Sequence, residues 1–114
     1  DKRVISRQLT SALGNLSSKK KIKTSNIIIA YEPIWAIGSG KSASSEDIHS
    51  AHNYIKRKLN MIFESSKSLP KVIYGGSVNN TNSKEILSIE GVDGTLVGGA
   101  SLNAKKFIEI CSSI

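Results

Sequence analysis

A single cysteine, Cys111, leaves this chain without an internal disulfide, so its fold must rest on packing, and such usage fits a reducing compartment such as the cytoplasm. Long apolar runs are also missing. The longest covers residues 27–31, far short of the roughly 20 residues that a membrane-spanning helix needs, and no membrane role is expected. Aromatic residues amount to only 5%, and none of the familiar nucleic-acid-binding signatures is legible. The net charge of +7 is gathered in Lys19, Lys20, Lys21 and Lys23 and in Lys56, Arg57 and Lys58. It therefore reads as solvated loops and helix faces, with no nucleic acid expected as a partner. Prolines number two, and with 39% hydrophobic and 22% charged residues the balance is that of a folded chain, not a disordered one.

What is present is an alternation of two periods. Val4, Ile5, Leu9, Ala12, Leu13 and Leu16 recur at helical spacing and predict an amphipathic helix over residues 2–16. Its apolar stripe begins at the fourth residue, as if the chain had been cut inside an element, so that the lack of a visible targeting peptide in these residues carries no weight. Residues 26–30, Asn-Ile-Ile-Ile-Ala, form a run dominated by β-branched residues, the pattern of a strand buried on both faces. Residues 44–65 predict a helix with Ile48, Ala51, His52, Ile55, Leu59, Ile62 and Phe63 on one face, started by Ser44 and Asp47 as a capping box. The pattern then repeats twice. A strand over 71–74 stops at Gly75-Gly76 and precedes a short helix over 82–89. A strand over 94–97 stops at Gly98-Gly99 and precedes a helix over 103–111, with Ala104, Phe107, Ile108 and Cys111 turned inward.

Such β-α-β-α-β-α order implies a parallel sheet with right-handed crossovers. Three strands alone leave two edges unpaired and a face uncovered, so further strands are expected from chain outside these residues.

Ligands of parallel α/β folds bind beyond the carboxyl ends of the strands, which directs attention to three segments. Glu32 directly follows the first strand, and Pro33 fixes the backbone behind it. Ile34, Trp35 and Ile37 then fit neither period, while Gly38-Ser39-Gly40 supplies flexible backbone, as in a lid that closes. An apolar lid over a carboxylate would exclude water and strengthen it as a base. Glycine pairs after the other two strands would let backbone N–H groups approach an anion closely. Taken singly, Glu32 also fits a solvated ion pair, the lid a static loop, and each glycine pair a plain turn.

Together, AYEPIWAIGSGK at residues 30–41, YGGSV at 74–78 and DGTLVGGASL at 93–102 resemble the triosephosphate isomerase family in order and spacing, over essentially the whole chain. The resemblance implies an α/β TIM (β/α)8 barrel. Residues 1–114 would be roughly its C-terminal half, three parallel βα units preceded by a helix, with the N-terminal half absent. It further implies interconversion of the triose phosphates dihydroxyacetone phosphate and glyceraldehyde 3-phosphate through an enediolate, in glycolysis and gluconeogenesis. No cofactor or metal is expected, the setting is the cytoplasm, and the full-length protein would be a homodimer.

By the same resemblance Glu32 is the catalytic base, and Gly38, Ser77, Gly98 and Gly99 bind the substrate phosphate. The lid is Pro33, Ile34, Trp35, Ala36, Ile37, Gly38, Ser39, Gly40 and Lys41. Tyr74 and Ser77 would hold it closed, and Ile37 and Leu96 would clamp the base. The family's electrophilic histidine, its active-site lysine and a further glutamate have no counterpart among these residues. His49 and His52 sit on the helix after the lid and are expected to be structural. The isolated chain is therefore expected to lack turnover, and a noncatalytic phosphate-binding half-barrel or interaction module is the alternative.

Overall fold

The computed structural model describes residues 2–15, 23–64 and 66–114. The expected helix ends at 16 and 65 and the lysines at 19–21 lie outside the described residues. In chain order the elements are α1 (Lys2–Leu13), β1 (Ile28–Tyr31), α2 (Ser45–Ile62), β2 (Lys71–Tyr74), α3 (Ser83–Leu87), β3 (Gly94–Thr95) and α4 (Ala104–Cys111). Short 3-10 turns fall at Thr24–Asn26, Ile34–Ala36 and Gly99–Leu102. The strands form one parallel sheet in the order β1-β2-β3. Ile28 stands opposite Lys71 and Tyr31 opposite Tyr74, and Ile73 and Tyr74 face Gly94 and Thr95.

The helix α2 forms where its sequence places it. The Ser44 hydroxyl accepts the Asp47 N–H at 3.1 Å, and Glu46 and Asp47 in the first turn suit the positive end of the helix dipole. Ile48, Ala51, His52, Ile55 and Leu59 recur every three or four residues and are all buried. Ile55, Leu59 and Phe63 pack with Leu9 and Leu13 of α1 over Val72 of β2. Complete burial of one such aliphatic side chain contributes about 1.5–3 kcal/mol, so this cluster fixes both helices on the outer face of the sheet. A second cluster, Ala43, Ile48, Tyr74, Val78 and Ile86, lies nearer the strand exits.

Three expectations are corrected. The first strand is covered on one face only: Ile29 and Tyr31 pack against the helices, whereas Ile28 is 65% exposed and Ala30 is exposed, because none of the described residues lies across that side. The third strand ends two residues early. The Leu96 N–H still donates to the Tyr74 carbonyl at 2.8 Å, but β2 stops at Tyr74 and offers no further partner. In α4 the buried residue is Ile110, while Phe107, Ile108 and Cys111 are exposed; the neighbours of so short a helix, not its own periodicity, decide its inner side. The radius of gyration is 14.7 Å and the extents are 43 × 27 × 22 Å, against about 13 Å for a compact chain of this order. The molecule is correspondingly elongated along one axis. Among the described residues no helix is long and apolar enough to cross a membrane.

Candidate active site

The three strand exits meet in one open cleft of about 530 Å³, lined by Glu32, Ile37, Gly38, Gly40, Ser77, Leu96, Gly98 and Gly99 among others. The parallel ladder produces this convergence. Tyr31 and Tyr74 are in register, and the Gly75 N–H extends the ladder by donating to the Tyr31 carbonyl at 2.8 Å, so Glu32 and Gly75 leave the sheet side by side. A Cβ built on Gly75 would stand 2.6 Å from Glu32 Cγ and 3.2 Å from Oε1. Glu32 itself is exposed to the cleft.

After Glu32 the chain turns through Ile34–Ala36, whose bonds run from the Ala36 N–H to the Pro33 carbonyl at 2.8 Å and from the Ile37 N–H to the Ile34 carbonyl at 3.2 Å. Ala36 is fully buried and anchors the turn, while Ile34, Trp35 and Ile37 are 86%, 61% and 50% exposed. Three apolar side chains therefore stand in solvent beside the cleft. At the tip, Gly38 and Gly40 adopt φ values of +65° and +76°, a backbone region that favours glycine. Between them the Ser39 hydroxyl donates to the Lys41 carbonyl at 3.1 Å. Both ends of the segment are tied to the exit of β2. The Ser77 hydroxyl donates to the Ala36 carbonyl at 2.6 Å, and the buried Tyr74 hydroxyl accepts the Ala43 N–H at 3.0 Å.

The two glycine pairs differ in their surroundings, which sequence reasoning did not separate. Beside Gly75 lies Glu32, and a side chain on Gly76 would run into the Tyr74 ring and hydroxyl, so this pair makes room for protein groups. At Gly98 and Gly99 a Cβ would meet nothing within 4 Å. That backbone lies open to the cleft, with Gly99 starting the 3-10 turn Gly99–Leu102. Leu96 is 47% exposed at the same wall.

His52 and His49 lie outside the cleft. His52 is fully buried, its Nδ1–H donating to the Gly91 carbonyl at 3.2 Å, and burial holds its imidazole below the ordinary value. The Asn53 side-chain amide donates to His49 Nε2 at 3.0 Å. Sequence reasoning passed over Asn79, Asn103 and Lys106, which also line the cleft. For Lys106 the signal was available, since it occupies the first turn of the helix that follows the second glycine pair. Among the described residues no group of three or more His, Cys, Asp and Glu side chains could hold a metal ion.

The family model of triosephosphate isomerase matches residues 1–114. The triosephosphate isomerase of Lawsonia intracellularis is 47% identical over 108 residues, covering 94% of this chain and 41% of that protein. That of Dehalococcoides mccartyi is 48% identical over 109 residues, covering 95% and 41%. The crystal structure of triosephosphate isomerase from Bartonella henselae superposes with a TM-score of 0.81 at 38% identity, covering 98% of this chain and 43% of that one. The chain thus spans about two-fifths of the length of the relatives it matches.

Proposed function

The chain belongs to the triosephosphate isomerase family, and from that premise we propose that it carries the base and the phosphate-gripping part of an isomerase site. Its sheet is part of a TIM barrel, and the remaining strands and the electrophilic groups come from polypeptide outside residues 1–114. The observation that carries the reading is the single cleft in which Glu32 meets Gly38, Ser77, Gly98 and Gly99.

In this reading Glu32 takes a proton from the carbon beside the substrate carbonyl and returns it to the neighbouring carbon, while the hydroxyl proton passes to the former carbonyl oxygen with the help of the electrophilic groups outside residues 1–114, so the isomerisation balances without a redox partner. A glutamate base under a closing loop is the feature for which this family is the standard illustration, and it is carried over from the family. Backbone N–H groups at Gly98 and Gly99, the Ser77 residue and, on closure, Gly38 grip the phosphate. Ile34, Trp35 and Ile37, now solvated, would cover the carboxylate and exclude water. The same reading carries triose phosphates as substrates, a place in glycolysis and gluconeogenesis in the cytoplasm, a homodimer at full length, and no metal or organic cofactor.

Glu32→Gln in the full-length protein should lower turnover by about 10²–10⁴-fold, the scale of a lost general base. Turnover equal to the unsubstituted protein would dispose of Glu32 as the base. A second reading applies to the 114 residues alone, namely a phosphate-binding half-barrel without turnover. The open backbone at Gly98 and Gly99 favours it, because these groups need nothing from outside the chain to meet an anion. Phosphate bound without isomerisation would support it, and turnover by the isolated chain would end it.

A further inference from the structure

We propose that Lys106 is an additional binding residue for the phosphate, supplying the cleft with a full positive charge; the inference rests on the function proposed above and deepens it. Of the residues lining the cleft, Glu32 and Lys106 are the two that carry charge. Without Lys106 these walls are net negative through Glu32, and they repel a phosphate dianion that the uncharged donors at Gly38, Ser77, Gly98 and Gly99 would hold. With it the carboxylate is offset in the same space.

Three local features set Lys106 to this task. The first turn of α4 contains no acidic residue, so a lysine there works against the helix dipole and contributes nothing to the helix by its charge. Its backbone is fixed, because the Asn103 side chain caps α4 by accepting the Lys106 N–H at 3.0 Å. The carboxylate one turn along, Glu109, accepts the Asn80 side-chain amide at 2.6 Å. Among the described residues the ion pair present is Lys56 with Asp93, and the Lys106 ammonium has no carboxylate partner. An unpaired cation and an open amide surface at Gly98 and Gly99 together select a small dianion such as a phosphate monoester over a neutral sugar.

The test is a titration of the full-length protein with inorganic phosphate, read from the backbone amide shifts of Gly98 and Gly99, alongside the KM for triose phosphate. Lys106→Gln should weaken phosphate about three- to tenfold and raise KM by a similar factor. Lys106→Arg should restore most of the loss, and the gap between the variants should narrow as salt is raised. If Lys106→Gln binds phosphate as tightly as the unsubstituted protein, at low salt as well as high, Lys106 is a solvated surface lysine and the inference is overturned. If the Gly98 and Gly99 amides do not respond in the unsubstituted protein, the phosphate-gripping reading itself falls and takes this inference with it.

Discussion

Gly75 and Glu32 leave adjacent parallel strands side by side, so close that a methyl group on Gly75 would stand 2.6 Å from Glu32 Cγ. No real Cβ tolerates that contact, and Glu32 is the more movable partner because Gly75 is held by its N–H bond to the Tyr31 carbonyl at 2.8 Å. Gly75→Ala should therefore leave the sheet in place and swing the carboxylate away from the cleft. Small displacements of a catalytic group cost on the order of 10²-fold. In the full-length protein kcat should fall by that order while the thermal midpoint changes little. An alanine variant with undiminished kcat would show that the position of Glu32 is set elsewhere.

The buried His52 sets a dependence of stability on pH. Burial lowers the imidazole most, the bond to the Gly91 carbonyl partly offsets this, Lys56 lowers it further and Asp93 raises it, with a net value below 6.5. Its Nε2 is buried without a hydrogen-bond partner, as suits a neutral ring whose one proton sits on Nδ1. The unfolded chain then binds the extra proton more readily than the folded one, so stability rises with pH between the two values. As pH falls, the loss begins near 6.5 and continues down to the lowered folded value. Burial would raise Asp93, but the Val72 N–H and Lys56 outweigh it and hold the carboxyl below 3.8, so it remains charged across that window. The urea midpoint should drop between about pH 7.5 and pH 5.5, and His52→Phe should reduce the slope. A slope unaltered by that substitution would assign the dependence to another group.

How far the sequence speaks for the structure depends on how local the cause is. The helix α2 was legible because a serine cap, first-turn acids and an apolar face agree within 18 residues. The meeting of the strand exits in one cleft was legible because ligands of parallel sheets bind beyond those ends. The bare side of β1 was not, since a continuous apolar run looks the same whether its second face meets a helix or the interior of a barrel completed by other strands. Likewise Gly75 and Gly98 both read as strand-ending glycines, and only the register of β1 on β2 shows that the first makes room for Glu32 while the second faces open space.

The open setting of Gly99 permits a separation of ligand effects from fold effects. A Cβ at this position would meet no heavy atom within 4 Å, and its backbone is not in the left-handed region, so the folded protein has no steric objection to alanine. Because alanine has fewer unfolded conformations than glycine, Gly99→Ala should hold or raise stability, by up to about 1 kcal/mol. The added methyl group would nevertheless crowd the backbone surface on which the phosphate is proposed to rest, where close approach depends on a missing side chain. A loss of one good charge-assisted hydrogen bond corresponds to about tenfold or somewhat more in affinity. Phosphate binding to the full-length Gly99→Ala protein should weaken by that order with the thermal midpoint unchanged or higher. Unchanged affinity would mean that the anion does not rest on Gly99, and a lowered midpoint would mean that the residue has a packing role which the open geometry argues against.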